Sequence, residues 1–228
     1  MKQITLDIGL PTGPTIANFC AGPNTAALEH VALWVGSGAS ALHRSPVPTY
    51  FWGPHGSGKT HLLKAAREGL RGQGARVGWL DADMHAEPDY DEAWAAVVLD
   101  DVHLFTAAQQ QLAFNWFVNA QSLQRPVIAA GELPPADLAL REDLRTRLGW
   151  GHVFALKSLT EPERRSVLRQ AADDRGLFLG DEVMDYMLTR FSRDLGHLME
   201  LLELMDGYSL QTKRAITVPM IKAMMDNP

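Results

Sequence analysis

Gly53-Pro54-His55-Gly56-Ser57-Gly58-Lys59-Thr60 is the stretch on which the reading of this chain turns. It fits the pattern G-x-x-x-x-G-K-[ST], whose glycines let the backbone wrap an anion without Cβ clashes. Tyr50-Phe51-Trp52 before it reads as a short buried strand, and His61 to Leu70 after it as a helix. That is the strand–loop–helix setting the motif requires, with successive N–H groups and the helix N-terminus facing phosphate. Gly53, Pro54, His55, Gly56, Ser57, Gly58, Lys59, Thr60 and His61 are thus expected to cradle a nucleotide, ADP or ATP. Lys59 would reach the β- and γ-phosphates, and Thr60 would hold Mg²⁺.

The second signal lies forty residues on. Ala95-Ala96-Val97-Val98-Leu99 is a continuous apolar run closed by Asp100 and Asp101. Such a run suits a strand buried on both faces of a parallel sheet, and its C-terminal end is where ligands bind in open α/β sheets. Asp100 is expected to hold Mg²⁺ through its water shell, and Asp101 to orient an attacking water. Val77-Gly78-Trp79-Leu80 and Pro126 to Gly131 read as further strands. Glu132 ends the latter, either beside a γ-phosphate or as a plain loop carboxylate. The acids between Asp81 and Glu92 read as a solvated loop. Thr106 to Leu123 reads as a helix with Leu112, Ala113, Trp116, Phe117, Ala120 and Leu123 on its core face.

Arg141, Arg145 and Arg147 precede Leu148-Gly149-Trp150-Gly151 and a strand over His152–Leu156. They read as an ion-paired face with Glu142 and Asp143, or as a source of a forked guanidinium for a phosphate across a subunit boundary. From Leu159 the composition turns helical. Thr160-x-x-Glu163 is a capping box with Pro162 in the first turn. Helices follow over about Asp181–Phe191, Leu195–Gln211 and Pro219–Met225, with Met and Leu stripes that read as bundle packing.

Upstream, Asn24 is placed to cap a helix over Ala26–Val35. Phe19 stands where a base could stack, or is plain core. The first residues are broken by Gly9, Pro11, Gly13 and Pro14, yet Gln3-Ile4-Thr5-Leu6-Asp7-Ile8 carries regular apolar positions. It reads as an edge strand of its own domain, or as an extended peptide for a partner groove, with Gln3 as polar anchor and Leu6 and Ile8 as plugs.

The bulk properties agree. The 228 residues, 46% of them hydrophobic, suit one large domain with a smaller appendage. A net charge of −6 argues against a broad basic face for duplex DNA. The single cysteine, Cys20, fits a reducing, cytoplasmic setting. Neither a membrane-spanning run nor a signal pattern is evident. The histidines show no metal-ligand spacing.

The order of these features resembles AAA+ nucleotide-binding proteins, and among them the replication initiator DnaA. The similar local texts are Asn18-Phe19…Gly22…Asn24, Leu99-Asp100-Asp101-Val102, Leu133-Pro134-Pro135 and Arg147-Leu148-Gly149-Trp150-Gly151, so the likeness covers about residues 15–225. The expected architecture is a P-loop AAA+ α/β parallel sheet flanked by helices, followed by a small all-α lid. Its expected divisions are a peptide over 1–14, a nucleotide domain over 15–158 and a lid over 159–228. A DnaA-like core with no room for DnaA's N-terminal and helix-turn-helix domains, led by a glutamine peptide, resembles the Hda family. That resemblance implies that Gln3, Leu6 and Ile8 bind the DNA polymerase III sliding clamp (β subunit), although Asp7-Ile8 departs from the family's usual Pro-Leu or Leu-Phe ending. It assigns Lys59 and Thr60 to Walker A, Asp100 and Asp101 to Walker B, and Glu132 to sensor one. Arg147 would be an arginine finger acting in trans, and Arg193 the sensor-two arginine at the nucleotide. Asp101 stands where fast ATPases of this class carry glutamate, which implies weak intrinsic hydrolysis. The function implied is a regulator that stimulates hydrolysis of DnaA-bound ATP when attached to the DNA-loaded clamp and so prevents re-initiation, touching DNA mainly through that complex, as a homodimer or higher oligomer. An autonomous ATPase of the helicase-loader kind and a non-enzymatic nucleotide-gated adaptor are the rival readings.

Overall fold

The computed structural model describes residues 13–36, 44–84, 88–191, 195–212 and 214–226. The chain divides into two compact units, Met1–Lys157 and Ser158–Pro228.

Five strands build the first unit: β1 (Thr49–Trp52), β2 (Arg76–Leu80), β3 (Trp94–Leu99), β4 (Val127–Gly131) and β5 (His152–Ala155). All pair in parallel, in the order β2-β3-β4-β1-β5. Parallel neighbours need crossovers, and helices supply those that follow β1, β3 and β4. These are α2 (Lys59–Arg71) after β1, α3 (Ala107–Ser122) after β3 and α4 (Glu142–Gly149) after β4, while α1 (Thr25–Val35) precedes the sheet.

Successive strand residues point to opposite faces, so each run feeds two cores. Tyr50, Val97, Leu99, Val127 and Ala129 join Ala113, Trp116 and Phe117 of α3 and Leu144 and Leu148 of α4. Phe51, Ala96, Val98, Ile128 and Ala130 join Val31 and Trp34 of α1 and Leu62 and Leu63 of α2 on the other face. Burial on both faces explains why the inner strands β3 and β4 read as unbroken apolar runs.

The neighbouring strands β1 and β4 therefore send their following helices, α2 and α4, to opposite faces. That makes the crevice beyond their C-terminal ends a topological switch point. Register sharpens the placement. Trp52 pairs with Gly131, and Leu99 with Ala129. Gly53, Asp100 and Glu132, each the first residue past its strand, thus emerge along one edge of the sheet.

Two local expectations are corrected. Asn24 stands at the N-terminus of α1 but makes no capping hydrogen bond. Its side chain instead donates to the Lys157 carbonyl at 2.8 Å and accepts from the Lys157 N–H at 2.8 Å. A fixed backbone partner on both amide atoms outcompetes a helix end that water can satisfy. Leu123, assigned to the core face of α3, lies just beyond the helix and is 42% exposed. The acidic stretch is surface, as expected, with Asp83, Asp89 and Glu92 exposed; within it Asp81 accepts from Trp79 Nε1, and Asp91 pairs with Arg76.

The second unit comprises α5 (Glu161–Asp174), α6 (Asp181–Arg190), α7 (Leu195–Thr212) and α8 (Val218–Asp226). The Thr160–Glu163 capping box forms. Leu168, Met184, Met187, Leu198, Leu202, Met205 and Ile221 close a core of their own. Among the described residues, no helix is long and apolar enough to cross a membrane.

Candidate nucleotide site

The loop from Gly53 to Thr60 joins β1 to α2. Its two outer glycines are there for different reasons. A Cβ on Gly53 would stand 2.2 Å from the Leu156 carbonyl oxygen, so the backbone passes too close to β5's end for any side chain. Gly58 has φ +93° and its Cβ would meet Phe19 Cε2 at 2.7 Å. Left-handed backbone and a ring edge together demand glycine there. Pro54, His55 and Gly56 are exposed at the tip.

Lys59 opens α2 and is buried. Its ammonium donates to the carbonyls of Gly53 at 2.8 Å and Pro54 at 2.9 Å, which holds the charge inside the loop it follows. Ser57 Oγ is buried in the same turn with no hydrogen-bond partner. The Thr60 hydroxyl bonds the Asp100 carboxylate across the gap between α2 and β3.

Asp100 is 3% exposed. Burial, and then the adjacent Asp101 charge, push its carboxyl up to about 6, while the Thr60 hydroxyl and the Asp101 N–H pull it back. Asp101 has a left-handed backbone, φ 48° and ψ 43°, and its carbonyl accepts from the Leu104 N–H at the head of a 3₁₀ turn over Val102–Leu104. Reversing the chain there separates the two carboxylates into a buried one and a half-exposed one.

Glu132 is exposed, and its carboxylate lies 3.8 Å from His103 Nε2. The other ring nitrogen of His103, Nδ1, is buried without a partner. Sequence alone did not single out His103. It lies three residues beyond Asp100 on the turn that reverses the chain, and that turn brings it back to β4's end. Tyr50 supports the same corner, donating its hydroxyl to the Leu133 carbonyl at 2.8 Å.

Phe19 is partly buried on the α1–α2 core, with His61 edge-on at 5.4 Å between centroids. Burial first, and Lys64 after it, pull His61 below the usual imidazole value, against the Thr15 carbonyl 3.1 Å from its Nε2. Both rings flank the first turn of α2.

Arg147 sits in the last turn of α4. Its guanidinium lies over the Phe114 ring at 4.9 Å, and Nη1 donates to the Asp143 carbonyl at 3.4 Å. The expected ion pair of this stretch joins Arg141 and Asp143 at 2.7 Å. Phe114 escaped the sequence reading because it falls off the buried stripe of α3. An aromatic off the stripe, facing a run of arginines, was the available signal. Gln3, Leu6, Ile8 and Arg193 lie outside the described residues.

The structure thus brings Gly53–Thr60, Asp100, Asp101, Glu132, Phe19 and His61 to the switch-point end of the sheet. The donor set is chemically suited to a phosphate chain: a lysine among loop carbonyls, an unpaired buried hydroxyl and N–H groups at a helix start. Thr60 and Asp100 offer two hard oxygens. Among the described residues, no group of three or more His, Cys, Asp or Glu is arranged to hold a metal. Mg²⁺ needs none, since it takes one or two protein oxygens and completes its shell with water and phosphate.

Residues 161–225 match the family described as Hda, lid domain. Domain III of the Thermotoga maritima replication initiation protein DnaA superposes with a TM-score of 0.73 at 20% identity, over 99% of this chain and 98% of that one. AMPPCP-bound DnaA from Aquifex aeolicus gives a TM-score of 0.65 at 24% identity, over 90% of this chain and 68% of that one. The Thermotoga maritima RuvB Holliday junction branch migration motor gives 0.64 at 15% identity, over 94% and 72%. These likenesses establish the AAA+ fold: a parallel sheet flanked by helices and followed by a helical lid. Residues 161–225 thus match the Hda lid family, in a chain with the fold of DnaA domain III.

Proposed function

We propose that this chain is a regulator of replication initiation that binds an adenine nucleotide in its own loop and stimulates hydrolysis of ATP held by DnaA. The observation that carries the reading is the Hda-type lid on a DnaA-type core. The geometry is consistent with it. Lys59 and the N–H groups of the loop bind phosphate, Thr60 and Asp100 hold the cation, and Phe19 and His61 border the base. Bound Mg²⁺ neutralises phosphate charge and orients the chain of phosphates. These residues serve to retain a ligand that shapes the protein, rather than to turn it over rapidly.

The hydrolysis that matters takes place in the partner. Arg147 presents a planar, permanently charged fork suited to the charge that develops on a transferring phosphoryl group. An arginine supplied in trans is worth roughly 10³–10⁵ in rate. Arg147→Ala should therefore abolish stimulated hydrolysis of DnaA-bound ATP while leaving clamp binding intact. Undiminished stimulation by the variant would refute the mechanism. Attachment to the clamp is assigned to Gln3, Leu6 and Ile8 on sequence resemblance. Gln3→Ala combined with Leu6→Ala should lose the clamp in a pull-down and keep the nucleotide.

The Thr60–Asp100 bond, beside a half-exposed Asp101, supports a second reading as an autonomous ATPase. Phosphate release measured with and without clamp and DnaA separates the two: the rival releases phosphate alone, and the regulator does so when both partners are present.

A further inference from the structure

We propose that Arg141 is a decoy for the Asp143 carboxylate, and that this keeps the Arg147 guanidinium available to an anion outside the chain. The inference rests on the reading of Arg147 as a group supplied to a partner's phosphate.

Asp143 and Arg147 stand four residues apart on α4, with the acid N-terminal. A helix favours an ion pair at that spacing and in that order. It is not the pair that forms. Asp143 Oδ2 accepts from Arg141 Nη2 at 2.7 Å, and Oδ1 accepts from the Leu144 N–H at 2.8 Å. Arg147 reaches the Asp143 main-chain oxygen instead, at a distance near the limit for a hydrogen bond.

The competitor is anchored independently of the carboxylate it holds. The Arg141 backbone N–H donates to Gln110 Oε1 at 3.0 Å, and its Nη1 donates to Gln111 Oε1. Both glutamines belong to α3, so α3 fixes Arg141 over Asp143. Arg147 meanwhile rests on Phe114, whose ring also lies 5.5 Å from the Arg141 guanidinium. A ring face attracts a cation but takes none of the fork's in-plane N–H donors. Without Arg141, Asp143 would be a free carboxylate one turn below Arg147, and the two would close. The finger would then be quenched by its own helix.

The test compares the wild type with Arg147→Ala, Arg141→Leu, Asp143→Asn and the double variant Arg141→Leu/Asp143→Asn. Asparagine keeps the acceptor for the Leu144 N–H and removes the charge. The first readout is stimulated hydrolysis of partner-bound ATP. The second is exchange of the Arg147 side-chain Nε–H by NMR in the free protein. Arg141→Leu should lose about two- to fivefold in stimulation, the range an exposed ion pair commands. It should also slow Nε–H exchange. Asp143→Asn should match the wild type, and the double variant should return both readouts to it. A double variant as weak as Arg141→Leu alone, or unchanged Nε–H exchange in Arg141→Leu, overturns the decoy. Wild-type stimulation by Arg147→Ala overturns instead the reading of Arg147 as a finger, and the exchange measurement still decides whether Arg141 holds Asp143 away from it.

Discussion

Asp100 shows how one residue can be costly to the fold and useful to the site. Its carboxyl, raised from an ordinary 3.8 to about 6, binds a proton in the folded protein that the unfolded chain releases. Folded protein holds the extra proton between about pH 4 and pH 6, so stability falls as pH rises through that window. Below it the cost is absent, and above it the cost is complete. A rise of that size corresponds to roughly 3 kcal/mol. Asp100→Asn should therefore gain stability on the wild type, by about 1–3 kcal/mol, as pH is raised from 4 to 7. Urea midpoints of nucleotide-free protein read this directly, and a difference that stays constant across the window would contradict it. The same burial that penalises the charge would strengthen its attraction for a cation placed beside it.

At the scale of elements, the decisive contact is between α1's start and β5's end. Asn24 is buried and satisfies both backbone groups of Lys157 with one amide. Asn24→Ala would leave a donor and an acceptor without partners, at a cost of about 1–3 kcal/mol for each group that stays buried. The expected result is a lower denaturation midpoint with an unchanged slope, and Asn24→Asp, which sets a buried carboxylate oxygen against the Lys157 carbonyl, should be at least as damaging at neutral pH. None of this was legible in the sequence. Asparagine before a helix signals a cap, and a partner 133 residues away leaves no local trace. Gln109 is a similar case: it stands in a helix signature, yet it is buried and donates to the Ala82 and Met84 carbonyls. What the sequence does carry is whatever has a short-range cause. Continuous apolar runs announce strands buried on both faces, the phosphate-loop pattern fixes the crevice, and Thr160-x-x-Glu163 marks where α5 begins. Phe114 and His103 matter through packing against elements distant in the chain, and so were missed.

At the scale of the molecule, β1 pairs with β4 and β5, both made from chain that follows it by 75 residues or more. Synthesis proceeds from the N-terminus, so the strand that carries the phosphate loop emerges without either neighbour. Contacts this remote in sequence repay their ordering entropy late. The loop should consequently acquire protection from protease in ribosome-stalled chains as a late, single step, once Lys157 has cleared the ribosome, and not when its own motif appears. Protection already present in chains stopped within α3 would rule this out. On the proposed function, a newly made copy would thus pass most of its synthesis unable to hold nucleotide, and would gain that capacity together with β5.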